Sequence, residues 1–422
     1  MLLVCYETSP LIEICTQKKL DLVKIYHLST AFEIAKKISF QKQKSYTRFI
    51  VRLSIAATAI SVAAILLTLS IVNGFQDSIS NKVYSFWGHI RISSVSGEPL
   101  FHDQKVISNM ERLPQIKSIA PFITQSTVLS YKQDIEGVMT KASPSNIAIP
   151  FLVKGRKLQT NGDSLNSEII ISDILANKLN IPLDSFVRLY FINNGAVKQR
   201  KMKVVGFYHS GMEDYDKQFV LMDVKKMQQI NTATNQVDGY TVSLNNTENI
   251  DAANDMIQKS MPDNWVSTTI PNYYPQIFDW IGVQTINRNV TVTILLIIAI
   301  VNLFTCLFIL MLERIPMIGS LTAMGASQHL IRKIFLYQAS FICWSGIGIG
   351  TIIGVGIGIL QQQFEFIQLD EAAYFIKALP IKMNLLQIVM VIVGTAIISY
   401  ISFLIPTLWI KKISPAKAVQ FN

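Results

Sequence analysis

Cysteine is scarce in this chain, with four in 422 residues, and none lies between residues 74 and 288. Cys5 and Cys15 fall in the N-terminal stretch, and Cys306 and Cys343 fall inside long apolar runs. The largest polar region is therefore expected to fold without disulfides. Histidine is as rare: His27, His89, His102, His209 and His329 are spread over separate segments without ligand spacing, so no metal site is expected. There is no Gly-x-x-x-x-Gly-Lys-Ser/Thr loop, so any ATP the protein depends on is hydrolysed by another chain. No local nucleophile motif is present, and neither an enzymatic activity nor a cofactor is expected. Charge is low at 16% of residues, and apart from Arg52 at the start of the first none of it sits inside the apolar runs, which excludes an ion or proton path built from this chain's own side chains.

Long apolar runs are what the sequence has instead. Four are each long enough to cross a hydrocarbon core of roughly 30 Å as a helix. They are expected over residues 49–73, 289–312, 335–360 and 385–409. The formal charge of +10 does not point to nucleic acid, because the basic residues gather beside the run ends: Arg48 and Arg52, Arg314, Arg332 and Lys333, and Lys411, Lys412 and Lys417. By the positive-inside rule these mark the cytoplasmic face. Both tails (1–48 and 410–422) and the connector 313–334 are then cytoplasmic, while residues 74–288 and the loop 361–384 are extracytoplasmic. No secretory signal is visible, since the first run is too long for one. Thr30–Ser39 (TAFEIAKKIS) reads as an amphipathic helix on the membrane surface. In the third run Gly346, Gly350, Gly354 and Gly358 recur every fourth residue, a ladder that lets helices approach closely, within one chain or between two.

The outer segment carries an internal echo. His89–Ser93 reads as a strand, Gln104–Leu113 as a helix and Ile119–Tyr131 as strand; later, Tyr240–Leu244, Asn249–Met261 and Trp265–Ile270 repeat the order. The expected fold is an α-helical membrane protein with four transmembrane helices plus an α+β extracytoplasmic domain of two lobes. One lobe is a split βαβ arrangement, and the other is an inserted, mainly β lobe with strands at Glu168–Ile171, Val187–Phe191 and Lys201–Phe207 around a helix at Ser172–Leu179. The polar stretch Gln125–Gly137, with loop character after an apolar strand, is the guess for a segment that meets a partner outside the membrane.

The connector reads ERIPMIGSLTAMGAS, and here the chain resembles the MacB/FtsX-type ABC transporter permeases, in which Glu-Arg-x-x-x-Ile-Gly-x-Leu-x-Ala-x-Gly-Ala recurs. Glu313, Arg314, Ile318, Gly319, Leu321, Ala323, Gly325 and Ala326 stand at the matching positions, and Met324 lies among them. Met317 stands where the family often has a second acid. Val72-Asn73-Gly74-Phe75 and the run KVVGFYHSGMEDYD, with Val205, Gly206, Ser210, Gly211, Met212, Tyr215 and Asp216, are similar to the lipoprotein-releasing (LolC/LolE-type) branch, as is the closing Ser414–Ala418 stretch.

That resemblance implies a permease without its own ATP site, paired with a second permease subunit over a separate ATP-binding subunit. It implies the connector as the ATPase coupling segment. It also implies a substrate path along Val72, Asn73, Phe75 and Ile298, and a lipoprotein substrate passed to a periplasmic carrier from an inner membrane. Membrane lipids, and no nucleic acid, complete the expected partners. Three acyl chains hold roughly 45 methylenes, which at ~0.8 kcal/mol each cost on the order of 35 kcal/mol to expose to water, so a hand-off between apolar sites is implied rather than ejection. The alternative is an FtsX/MacB-like permease that transmits ATPase strain to a periplasmic partner or exports another substrate.

Overall fold

The structure is a computed structural model and describes residues 45–144, 151–159, 167–193, 196–232, 235–247 and 249–409. The surface helix expected over Thr30–Ser39 and the basic tail after Trp409 lie outside these residues. The chain divides into two compact units: Met1–Gly74 with Thr285–Phe364 and Ile381–Asn422, and Phe75–Gln284 with Glu365–Pro380.

The first unit is helical. Among the described residues, four helices are long and apolar enough to cross a membrane. They belong to the helices Ser45–Trp87, Pro275–Glu313, Gln328–Phe364 and Leu385–Trp409. The fourth matches its expected bounds, but the first three overrun theirs. The first was expected to end at residue 73 and instead continues for 14 residues to Trp87. At about 1.5 Å per residue, its 43 residues are roughly twice as long as a bilayer core is thick. The physical reason lies in the spacing: Ile79, Val83, Phe86 and Trp87 are buried at helical intervals, so an amphipathic helix takes over where the apolar one ends. The second helix opens at Pro275, fourteen residues before its apolar run, and proline suits a first turn where no N–H is needed. Leu303, Leu307, Leu310, Phe335, Ile342 and Phe403 form much of this unit's core with Val62 and Leu66.

The second unit is built on strands. They are β1 (Ile90–Ser94), β2 (Leu100–Phe101), β3 (Ile116–Tyr131), β4 (Asp134–Ser143), β5 (Leu152–Gly155), β6 (Glu168–Ser172), β7 (Phe186–Asn193), β8 (Ala196–Tyr208), β9 (Phe219–Asp223), β10 (Gln236–Val237), β11 (Gly239–Leu244) and β12 (Trp265–Thr269). The main sheet runs β12-β1-β11-β3-β4-β9-β6-β8-β5, with β7 bridging β3 and β8, and β2 pairs separately with β10. The 16-residue β3 joins the two ends of this sheet: Ile116–Phe122 pairs with β11, and Ile123–Tyr131 pairs with β4. Short helices connect the strands, and their starts are written in the sequence. Asp103 caps Gln104–Glu111, Ser172 caps Asp173–Lys178 and Asp223 caps Val224–Asn231, each accepting from first-turn amides.

One expectation fails here. Gln125–Gly137 is not a loop but the closed end of the β3–β4 hairpin, with Tyr131 opposite Asp134 and Lys132 at φ 54° in the tip. The strand expected over Ile119–Tyr131 runs through the polar residues Gln125–Ser130 to the hairpin tip. Thr127 and Leu129 nonetheless point inward and are buried, and Thr127 shares a hydrogen bond with Thr140 at 2.7 Å.

Candidate functional site

The connector 313–334 holds one short helix, Ile315–Ala323, and the first turns of the next, Gln328–Phe364. Glu313 closes the second apolar helix, Arg314 precedes the next, and Pro316 occupies the first turn of Ile315–Ala323. The break follows from Gly325. It sits at φ +88°, its N–H donates to the Thr322 carbonyl at 3.0 Å, and the Ala326 N–H donates to the Leu321 carbonyl at 2.9 Å. This pair of bonds is a Schellman C-cap, and a left-handed residue at that position is best supplied by glycine. Ser327 then caps Gln328–Phe364 through the Leu330 amide at 3.3 Å.

The helix Ile315–Ala323 has two unlike faces. Ile318 and Gly319 are buried, with Ile318 among Leu307, Leu310, Met311, Ile331 and Phe335. Leu321 packs beside Ile334. On the other face Pro316, Ser320, Ala323, Met324 and Gly325 are exposed, Met324 at 76%.

Within the same unit the glycine ladder meets the first helix. A Cβ on Gly346 would lie 2.7 Å from Thr58 Cβ, one on Gly350 2.5 Å from the Ala59 carbonyl oxygen, and one on Gly354 3.1 Å from Ala63 Cα. Gly358 faces Met383. Gly348 and Gly356, on a neighbouring face, have nothing within 4 Å. The ladder is thus occupied by packing inside one chain. Asn302 donates to the Ser54 carbonyl at 3.1 Å and to its hydroxyl at 3.2 Å, tying the second helix to the first. Asn73 accepts from Arg288 at 2.7 Å, Val72 is half-buried beside it in sequence, and Ile298 is exposed.

In the strand-built unit, Ser-Gly-Met-x-x-Tyr-Asp forms one turn closed on itself. Asp216 is fully buried, and its carboxylate accepts from the Ser210 hydroxyl at 2.7 Å, the Ser210 N–H at 3.0 Å and the Gly211 N–H at 3.1 Å. Burial pushes its pKa above the usual range, although these hydrogen bonds oppose the shift. The Asp216 N–H donates back to the Met212 carbonyl at 2.9 Å, and Met212 is buried in the same core as Val83. Gly206 lies in β8 where a Cβ would come within 2.8 Å of the Arg156 carbonyl oxygen, so its role is close approach to the neighbouring strand. Tyr215 leaves the turn to join an aromatic cluster: its ring centroid is 5.1 Å from Phe86, 6.0 Å from Trp87, 5.8 Å from Phe219 and 6.3 Å from Tyr274. Phe75 stacks obliquely on Trp280 at 5.4 Å.

Sequence reasoning missed Lys141. Its buried ammonium lies 4.2 Å from the ring centroids of both Phe86 and Trp87 and donates to the Phe86 carbonyl, capping the last turn of the 43-residue helix. Burial pushes its pKa down to about 7. The available signal was a lysine between buried Thr140 and Ala142 in a strand. It also missed the partners of His209, whose Nδ1 lies 2.8 Å from Asp173 and whose Nε2 lies 3.0 Å from Glu371.

Comparison with known proteins gives two family models: a MacB-like periplasmic core domain over residues 53–260 and an FtsX-like permease C-terminal region over 289–415. The chain is 22% identical to the lipoprotein-releasing system transmembrane protein LolE of Haemophilus influenzae, over 93% of this chain and 100% of that protein. It is also 22% identical to LolC of Xylella fastidiosa and to LolC of Neisseria meningitidis, each over 90% of this chain and 96% of the relative. Among solved structures, the periplasmic region of MacB from Actinobacillus actinomycetemcomitans aligns with 44% of this chain and 91% of that one, at 11% identity and a TM-score of 0.33. The two models and the length-wide likeness converge: the chain belongs to the MacB/FtsX-type permeases of ABC transporters and, within them, to the lipoprotein-releasing LolC/LolE type.

Proposed function

We propose that this chain is the permease subunit of an ABC transporter that extracts lipoproteins from the inner membrane and passes them to a periplasmic carrier, with ATP hydrolysed by a separate subunit. The observation that carries the reading is the likeness to LolC and LolE proteins across nine-tenths of the chain, which joins both family models in one order. The connector supports it: its buried face (Ile318, Gly319, Leu321) belongs to the span core, and its open face (Ala323, Met324, Gly325) is free to receive an ATP-binding subunit. Glu313 ends span two, Arg314 stands at the N-cap of that helix, and the Ala326 N–H bond to the Leu321 carbonyl closes its end.

The orientation, with both termini and the connector cytoplasmic and the strand-built unit periplasmic, is supported by Arg48, Arg52, Arg332 and Lys333. The two-lobe reading of the outer unit is supported by the strand order β12-β1-β11-β3, in which each strand–helix–strand unit encloses a strand of the other. Val72, Asn73, Phe75 and Ile298 border the substrate path in this reading, and exposed Ile298 offers acyl chains an apolar surface. The second permease is a further copy of this chain or a paralogue.

The test is depletion of the protein, followed by fractionation of lipoproteins between inner and outer membranes. Retention of outer-membrane lipoproteins in the inner membrane is the expected result. Normal sorting with altered envelope hydrolysis or division would instead assign a regulatory, strain-transmitting permease.

A further inference from the structure

Residues 365–380 connect the third and fourth apolar helices in sequence, yet they belong to the strand-built unit. This segment is a short strap closed on itself: the Leu369 N–H donates to the Lys377 carbonyl at 2.9 Å and the Leu379 N–H to the Ile367 carbonyl at 3.0 Å. It meets the Ser-Gly-Met turn at Gly211, where a Cβ would lie 2.7 Å from a Glu371 carboxylate oxygen and 3.1 Å from the Phe375 carbonyl oxygen. Gly211 also has φ +74°, so both backbone and space require glycine. Phe375, at φ +60°, packs against the core that holds Met212, and its carbonyl accepts from Lys82 at 2.6 Å.

At the centre of this contact stands His209, with Asp173 on one ring nitrogen at 2.8 Å and Glu371 of the strap on the other at 3.0 Å. Ionised carboxylates only accept hydrogen bonds, and a neutral imidazole carries one N–H. Both bonds therefore form together only when the ring holds two protons or a carboxylate holds one. The surrounding charges favour the extra proton on the ring. Asp216 lies 3.9 Å from Nδ1 on one side, while Lys377 of the strap is 3.5 Å from Glu371 and Lys82 approaches the same carboxylate from the first helix.

We propose that His209 is a positioning residue: as a doubly bonded imidazolium it clasps the strap 365–380 onto the Ser-Gly-Met turn, so that the link between spans three and four is held to the outer domain only while the clasp is protonated. The arrangement accounts for a histidine, rather than a lysine or arginine, at a junction of three carboxylates, since only histidine has an ordinary pKa near neutrality. The pKa of His209 is raised, with the hydrogen bonds to Asp173 and Glu371 outweighing burial. The sign follows: the clasp is fully formed below the ordinary imidazole pKa and is released as the pH rises through the raised one. In the transporter this rests on the lipoprotein-releasing reading, but the clasp itself does not.

The experiment is hydrogen exchange by mass spectrometry on the full chain, assembled with its ATP-binding subunit in lipid nanodiscs, following the strap amides Leu369, Phe375 and Leu379 after correction for intrinsic rates. Between about pH 6 and about pH 8.5 strap protection in the wild type should fall roughly tenfold or more, the worth of one charged hydrogen bond. His209→Gln should lose that protection at both pH values. Glu371→Gln keeps the clasp without the proton, because its amide can donate to a neutral ring that donates to Asp173; it should stay protected at high pH. A flat wild-type profile, or a Glu371→Gln profile that still falls with pH, overturns the proposal. Lipoprotein release from the same nanodiscs should follow strap protection. If strap exchange behaves as described and no lipoprotein is released at any pH, the clasp stands and the transport reading fails.

Discussion

Replacing Gly350 with alanine tests the span packing directly. The new Cβ would stand 2.5 Å from the Ala59 carbonyl oxygen and 2.9 Å from both Ala59 Cα and Val62 Cβ. Ordinary contact begins at 3.4 Å, so the two helices must separate locally by about 0.9 Å, and the groups in the way are backbone that cannot swing aside. Overpacking of this kind costs about 1–3 kcal/mol. Gly348→Ala and Gly356→Ala add the same methyl group where nothing lies within 4 Å. All three gain the same helix propensity, about 1 kcal/mol, so it cancels in the comparison. The assay is thermal unfolding of the detergent-solubilised full chain, read by size-exclusion chromatography after heating. Gly350→Ala should unfold at clearly lower temperature than Gly348→Ala or Gly356→Ala. Equal stabilities would refute the helix contact. A Gly350→Ala chain of unchanged stability but altered oligomeric state would show that the ladder is a seam between copies.

Gly325→Glu forces a residue with a Cβ to φ +88° and adds charge to the open face of the connector, so coupling should be lost while the chain still inserts; normal ATPase binding and release in that variant would refute the coupling role. Asp216→Asn keeps the shape of the buried carboxylate but removes acceptor capacity facing the Ser210 and Gly211 amides. It should destabilise the outer domain by about 1–3 kcal/mol, visible as an earlier loss of protection in that domain by hydrogen exchange. Lys141 has a folded pKa near 7 against an ordinary value of 10.5, so between those values the unfolded chain binds a proton that the folded one does not. Stability should therefore rise with pH across that window, by up to about 1.4 kcal/mol per pH unit, and be lost as the pH falls towards 7. Lys141→Met should flatten that slope in melting curves taken at about pH 7 and about pH 9, whatever it does to the absolute stability; a slope unchanged by the substitution would show that the lysine is not the titrating group.

Much of the architecture was legible because it rests on local pattern. Apolar runs mark the four long helices, and Asp103, Ser172 and Asp223 announce helix starts. What escaped depends on partners distant in sequence. The helix extension to Trp87 is amphipathic only because a sheet supplies its other half, and a window of hydropathy sees that segment as the end of a span. Thr127 is polar by composition and core by its bond to Thr140, which hid the β3–β4 hairpin. Gly325 could have been read as a helix stop, since a glycine followed by a serine cap is the ordinary signature, but a familiar pattern running through it concealed the break. Glu371 and His209 are 162 residues apart, and neither carries a local sign of the other.

The seven residues from Ser210 to Asp216 are among those in which the chain resembles the lipoprotein-releasing permeases, and the geometry gives each a place that needs no ligand. Each residue of the pattern faces a different neighbour. Asp216 and Ser210 close the turn, Gly211 admits the strap, Met212 fills the core beside Val83, and Tyr215 enters the rings of Trp87 and Tyr274. Trp87 is the last residue of the helix that begins at Ser45, and Tyr274 directly precedes the helix that begins at Pro275. The outer ends of both helices are therefore packed on one hydrogen-bonded turn. Close-packed rings cannot shift separately without opening voids, so a displacement of either helix end is delivered to the turn and to the strands β8 and β9 that flank it. A turn with that duty tolerates neither a longer spacing nor a substitution at Gly211 or Asp216.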